Sequence, residues 1–262
     1  MEQIGLLHDG QIYDLQTAEA LNIKGDIIKA DDSKESLEIL RHSCAHMMAQ
    51  AIKELYPEAK FFVGPVVKEG FYYDFKVESK ISDEDLPTIE KKMKEIADRK
   101  LPITRYETTK EEFYEKFKND ELKQAVLKNI KDDTLTIYKQ GDFEDLCRGP
   151  HLPNTRMIRS FKLTRVAGAY LGGDEKNEMI TRIYGIAFFD KQALFDYTKM
   201  IEEAKKRDHR KLGTELELFT FNDDVGAGLP MWLPNGARLR SKLEHLLYKA
   251  HRVRGYEPVR GP

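Results

Sequence analysis

The chain is poor in several things, and each shortage narrows its class. It has two cysteines in 262 residues, Cys44 and Cys147, so it has no disulfide framework. It contains no apolar run of membrane-spanning length, and MEQIGLLHDG at the N-terminus has none of the long apolar core of a signal peptide. The expected location is therefore the cytoplasm. Neither charge sign dominates: 43 Lys and Arg stand against 45 Asp and Glu, a net charge of -2. Global charge therefore does not announce a nucleic-acid binder, and local basic runs would have to serve that role. Internal repeats and low-complexity tracts are absent. A 34% charged, 40% hydrophobic composition suits a soluble protein with ample core for one large domain or two smaller ones.

Two stretches stand out. Arg41-His42-Ser43-Cys44-Ala45-His46 places two imidazoles at i and i+4 in a helical segment, so both rings project from one face. Asp145-Leu146-Cys147-Arg148-Gly149-Pro150-His151 adds a thiol and a third imidazole. The combined order, H-x-x-x-H … C-x-x-x-H, is more specific than either half; an isolated H-x-x-x-H is more often a helix-surface pair.

The remaining pattern predicts an α+β fold. Gln3–Leu7 and Gln11–Leu15 read as short strands turned at Asp9-Gly10. Asp32, with Glu35 three residues on, reads as the N-cap of a helix whose apolar stripe runs through Leu37, Leu40, Cys44, Ala51 and Leu55 to Pro57. That stripe makes Cys44 core and leaves His42 and His46 on another face. Lys60–Val67 and Gly70–Phe75 read as strands. Ser82–Leu101 reads as a helix boxed by Ser82 and Asp85, and Thr109–Phe117 and Glu121–Ile130 as shorter helices. Thr134–Tyr138, Phe161–Leu163, Gly168–Tyr170 and Met179–Gly185 read as strands of antiparallel sheets. A charged helical run over Lys191–Leu212 suits a linker, and its lysines and arginines read as a solvated face or as a phosphate-tracking one. Beyond Gly213 come a Gly/Pro-rich segment, a helix over Ala237–Arg254 and a strand beginning at Tyr256. The stop at Pro262, with no closing element, suggests a piece of something longer.

Three imidazoles and a thiol that converge can bind a tetrahedral metal, since His₃Cys is an acceptable zinc set. They can equally hold and deprotonate a water beside an ester carbonyl. Each residue also has a plain reading: Cys147 as a small buried hydrophobe, His151 as a loop residue, Lys123 as a solvated helix lysine, Asp145 as a partner for Arg148, Tyr73 and Tyr138 as strand aromatics.

RHSCAHMMAQAIKELYP, VGPVVKEGFYYDF, FEDLCRGPHLPNT, FKLTRVAGAYLGGD, RIYGIAF and KKRDHRKLG, in that order, closely resemble bacterial threonyl-tRNA synthetases from about residue 36 onward. The resemblance implies four parts: a shortened preamble over 1–35 without a full β-grasp domain, an editing domain over 36–190, a linker helix over 191–212, and the opening of a class II aminoacylation domain over 213–262. That last part would stop at the first class II motif, with the motif's proline at Pro262. The implied fold is that of the threonyl/alanyl-tRNA synthetase editing domain, antiparallel sheets and packed helices around a cleft. The implied activity of this part is hydrolysis of mischarged seryl-tRNA(Thr), with aminoacylation not expected from it. On this resemblance His42, Lys123, Cys147 and His151 are catalytic, and His46, Tyr73, Tyr138 and Asp145 bind substrate. Editing itself needs no cofactor. Zinc at His42, His46, Cys147 and His151, the arrangement of the related alanyl-type domains, is the less favoured alternative. ATP, magnesium and a threonine-binding zinc belong to the full-length enzyme, beyond this chain. The expected partner is the acceptor end of tRNA(Thr), with no membrane, and the full-length enzyme would be a homodimer through its catalytic domain. The rival readings are a freestanding zinc-dependent ester or amide hydrolase and a non-catalytic tRNA-binding module.

Overall fold

The computed structural model describes residues 2–222, 224–226 and 228–259. Pro262, the expected motif proline, lies outside the described residues. The chain divides into two compact units between Phe195 and Asp196.

The first unit opens with β1 (Gln3–His8) and β2 (Gln11–Asp14), turned at Asp9 and Gly10, which both take positive φ. Glycine makes that left-handed turn inexpensive. The short α1 (Leu15–Ala20) follows, N-capped by the Asp14 side chain on the Thr17 amide. β3 (Asp26–Lys29) completes a small antiparallel sheet in the order β2-β1-β3.

α2 (Lys34–Leu55) is the axis of the unit. Its N-cap is Ser33, not the expected Asp32. Asp32 instead accepts hydrogen bonds from the backbone N–H groups of Phe189 and Asp190, joining the helix start to the far end of the unit. The apolar stripe is present, but burial runs round almost the whole circumference: Ser36, Ser43, His46 and Gln50 are enclosed along with the aliphatic residues. A helix buried on all faces is one that other elements surround.

Those elements are two antiparallel sheets and a second helix. β4 (Lys60–Phe61), β5 (Val66–Val67) and β6 (Gly70–Lys76) come first. α3 (Leu86–Arg99) follows behind the expected Ser82–Asp85 capping box, which here closes a short 3₁₀ turn. Leu86, Ile89, Met93 and Ile96 form its buried face. β7 (Ile103–Thr109), α4 (Lys110–Lys116), α5 (Glu121–Lys128), β8 (Thr134–Gln140) and β9 (Phe143–Leu146) lead to the long hairpin β10 (Ser160–Tyr170) and β11 (Met179–Phe188). One sheet runs β10-β11-β6-β4 with β5 also on β6, and the other runs β7-β8-β9. α2 lies against β6, β11, α3 and β9. Leu40, Met47, Met48 and Ile52 share one continuous core with Phe71, Phe75, Ile89 and Ile183. This is the mixed architecture of antiparallel sheets and packed helices that the sequence predicts.

The helical run expected over 191–212 comes as α6 (Lys191–Lys206) and α7 (His209–Glu215). Asp208 separates them because its carboxylate caps α7 on the Arg210 amide. In the second unit β12 (Phe219–Phe221) pairs with β13 (Pro230–Trp232), and α8 (Pro234–Arg252) follows. The strand expected from Tyr256 does not form over 256–259.

Candidate functional site

α2 and the segment after β9 meet at one point. His42 and His46, one turn apart, have ring centroids 5.6 Å apart. The His151 ring lies 4.4 Å from that of His42 and 4.3 Å from that of His46. Cys147 Sγ is 3.2 Å from His42 Nε2 and 3.2 Å from His151 Nε2. The structure therefore brings together all four residues of H-x-x-x-H … C-x-x-x-H.

Backbone and hydroxyl contacts hold the segment in place. Cys147 N–H donates to Thr136 O, and Gly149 N–H approaches Cys147 Sγ at 3.2 Å. Ser43, between the two helix histidines, donates its hydroxyl to Ile39 O and accepts from Leu152 N–H at 2.8 Å. Its Oγ also lies 3.3 Å from His151 Nδ1. With the hydroxyl proton committed to Ile39, Nδ1 is the donor, and Nε2 carries the lone pair that faces Cys147.

A second group adjoins the first. Asp145 on β9 accepts hydrogen bonds from Lys123 Nζ on α5 and from the Tyr73 hydroxyl on β6. Lys123 is 3% exposed and Asp145 1%. The solvated-lysine reading of Lys123 is thus overturned. So is the pairing of Asp145 with Arg148, which instead meets Asp132 at 3.3 Å. The Tyr73 ring reaches His46, centroid to centroid 6.4 Å. The Tyr138 ring lies tilted against that of His151, centroids 4.4 Å apart, and its hydroxyl donates to Asp14. All eight residues singled out in the sequence belong to this one neighbourhood.

Burial sets the electrostatics. It lowers His42 to about 4, against the opposing pull of the Pro150 carbonyl, the charges of Asp145 and Asp14 and the Gly149 carbonyl. It lowers His46 to about 3 and holds His151 well below the ordinary imidazole range. It also pushes up the Cys147 thiol and the Tyr73 and Tyr138 phenols. At neutral pH the site therefore holds three neutral imidazoles and a protonated thiol, beside the Lys123–Asp145 salt bridge.

The site is reached from two clefts. One, of about 440 Å³, is lined by Gln50, Arg99, Asp120, Phe143 and the Lys123–Asp145 pair. The other, of about 430 Å³, is lined by Thr17, Arg105, Thr136, Arg148 and Cys147. The four His/Cys donor atoms lie within 4.8 Å of one another. Zinc bonds of about 2.0–2.3 Å place tetrahedral donors roughly 3.4–3.6 Å apart, so this set could close on a metal with small adjustments. The outer nitrogen of His151 already has Ser43 as a partner, as metal-binding imidazoles require.

Asp14, Thr17 and Ser43 also build the site, and sequence reasoning missed all three. The only local signal was the N-cap pattern of Asp14; its contact with His151 spans 137 positions.

Residues 135–184 match the family described as the threonyl and alanyl tRNA synthetase second additional domain. Over its full length the chain is 69% identical to a threonine–tRNA ligase of Campylobacter jejuni and covers 43% of that protein. It is 66% identical, again over 100% of the chain and 43% of the relative, to a threonine–tRNA ligase of Helicobacter hepaticus. A Campylobacter lari threonine–tRNA ligase is 74% identical over 88% of the chain and 38% of the relative. The chain is thus closely similar, over its whole length, to part of these threonine–tRNA ligases. It spans less than half the length of these relatives. The matched additional domain carries Tyr138, Asp145, Cys147 and His151, while His42, His46, Tyr73 and Lys123 come from outside the matched residues. Among the described residues, no helix is long and apolar enough to cross a membrane.

Proposed function

We propose that the first unit hydrolyses the ester bond of seryl-tRNA(Thr), releasing serine and the free acceptor end. The observation that supports this best is the gathering of three neutral imidazoles and a thiol beside a buried lysine–carboxylate pair, open to two clefts. The chemistry explains why a threonine–tRNA ligase needs such a site. Serine lacks only one methyl of threonine, and one methyl in a pocket discriminates by about 1–3 kcal/mol, roughly 10–200-fold. A second pocket that takes the smaller ester and destroys it supplies the rest.

In this reading a water adds to the ester carbonyl carbon and an imidazole takes its proton. The bond to the ribose oxygen breaks, and that oxygen receives the proton. His42 positions the water, and Lys123 polarises the ester with its ammonium, which Asp145 and through it Tyr73 hold in place. Cys147 and His151 lie along the path of the carbonyl and water, while His46, Tyr73 and Tyr138 shape the pocket. Cys147 Sγ is enclosed by His42, His151 and the Gly149 amide, an arrangement for hydrogen bonding more than for nucleophilic attack. No metal enters these steps. If zinc were held by His42, His46, Cys147 and His151, it would supply an activated water at the same place. The partner is the acceptor end of tRNA(Thr), the setting is the cytoplasm, and the four-part division at residues 35, 190 and 212 belongs to this proposal, as does dimerisation of the longer enzyme.

The test is deacylation of seryl-tRNA(Thr) and threonyl-tRNA(Thr) by the 262-residue chain, with and without a strong chelator. Seryl-selective hydrolysis that survives chelation is expected. His42→Ala should lower it by about 100-fold or more, the scale of a lost acid–base group, while tRNA binding persists. Selective hydrolysis lost on chelation would move the reading to a zinc site. Hydrolysis of neither ester would favour a binding module.

A further inference from the structure

Asp14 sits where β2 ends and α1 begins, and its carboxylate is 2% exposed. Oδ1 accepts from Thr17 N–H at 2.8 Å, which is all that capping α1 requires. Oδ2 accepts from the Tyr138 hydroxyl at 2.5 Å and from His151 N–H at 3.1 Å. Thr17 adds its own hydroxyl 3.0 Å from that of Tyr138. Gln16, between them, is clamped to the edge of β7: its Nε2 donates to Ile103 O at 2.5 Å, and its Oε1 accepts from Arg105 N–H at 2.7 Å. The loop fits closely over this pair. A Cβ at Gly149 would come within 2.5 Å of the Tyr138 hydroxyl and 2.8 Å of Asp14 Oδ2.

We infer that Asp14 is a positioning residue of the hydrolytic site, and that through it the leading segment is part of that site. The inference rests on the hydrolytic reading above. The His151 main chain is held from one side by Asp14 and its ring from the other by Ser43, which fixes Nε2 against Cys147. Tyr138, its hydroxyl spent on Asp14, forms a fixed wall beside the same ring. Without Oδ2 both anchors on the 149–151 segment loosen, and a misplacement of about 1 Å in a catalytic constellation can cost roughly 100-fold in rate.

Asp14→Ser separates this role from capping. Serine keeps a good N-cap for α1 but is too short to carry the second oxygen to Tyr138 and His151. On seryl-tRNA(Thr), kcat should fall about 10- to 100-fold with KM within about twofold of the parent, and His151 amide hydrogen exchange should quicken about tenfold or more. A kcat within twofold of the parent would overturn the inference. Thr17→Val keeps the backbone cap and removes only the hydroxyl on Tyr138, and it serves if the serine variant fails to fold. It should lower kcat about three- to tenfold, and an unchanged value overturns the inference equally. A parent chain that hydrolyses nothing defeats the functional reading itself. In that case unchanged His151 exchange in Asp14→Ser defeats the Asp14 assignment too, whereas faster exchange upholds its hold on the loop.

Discussion

Lys123→Met is the most direct probe of the buried ion pair. Both charges are almost wholly enclosed, so removing the ammonium strands a carboxylate in the interior. Breaking a buried pair from one side costs about 3–5 kcal/mol. Asp145 keeps two donors, the Tyr73 hydroxyl and the Leu146 N–H at 2.7 Å, so the cost should sit near the lower end, about 3 kcal/mol. For a unit of this size each kcal/mol moves Tm by roughly 2–4 °C, giving a fall of about 6–12 °C by circular dichroism. Methionine matches the stem of lysine and leaves little cavity, so the loss reports charge more than packing. The companion Asp145→Asn strands the ammonium instead. Since each single variant suffers from the other's orphaned charge, the double variant should be more stable than the summed losses by about 1–3 kcal/mol. A Lys123→Met chain within about 1 kcal/mol of the parent, or an additive cycle, would refute the placement of these charges.

Two further expectations follow from the same geometry. In chelator, the folded pKa values of His42 and His46 lie near 4 and 3, below the ordinary 6.5, so the folded chain binds fewer protons than the unfolded one as pH falls below about 6.5. Stability should hold above that pH and decline toward pH 4, by roughly 2 kcal/mol per histidine at pH 5; a urea midpoint equal or higher at pH 5 than at pH 7.5 would contradict this. At Gly64 a Cβ would meet the Tyr73 ring at 2.3 Å, so Gly64→Ala should displace Tyr73 from Asp145, destabilise the fold by about 1–3 kcal/mol and depress deacylation; an unchanged Tm and rate would show that the ring is free to yield.

What the sequence disclosed and what it hid divide along physical lines. The histidine pair was legible because helical spacing is local, and the Cys147–His151 half because its flanking motif is distinctive. The Ser82–Asp85 box and the Asp9-Gly10 turn were legible for the same reason: their partners lie within a few residues. Hidden features depend on distant partners. Nothing near Lys123 reveals that β9 brings a carboxylate onto its ammonium, and nothing near Asp14 reveals His151. Asp32 was read as a cap because its local pattern suited one, but two amides near Phe189 compete for its oxygens and win. The strand expected from Tyr256 is a related case: a strand needs a partner, and 256–259 pairs with no other strand among the described residues. The break at Asp208 was within reach of local reasoning, because aspartate is a better N-cap than a helix interior residue.

Placing the proposed chemistry on α2 has a consequence for how the site assembles. His42 and His46 need one helix face, and Ser43 between them turns toward the 147–152 segment, so three neighbouring positions of one helix supply two imidazoles and fix the third. That economy works only because α2 is enclosed: an exposed helix would leave its imidazoles hydrated and readily charged, whereas here burial keeps them neutral. The cost is that the enclosing pieces come from far apart in sequence. Tyr73 comes from one sheet, Asp145 and Tyr138 from the other, Lys123 from α5 and Asp14 from the leading hairpin. No single element carries a working subset, so the constellation exists only once both sheets have docked on α2. Activity should therefore vanish cooperatively with the fold of the first unit, and, apart from the side chains proposed to act on the ester, it should be most sensitive, short of unfolding, to changes at the joints between elements: Asp14, Ser43 and Gly64.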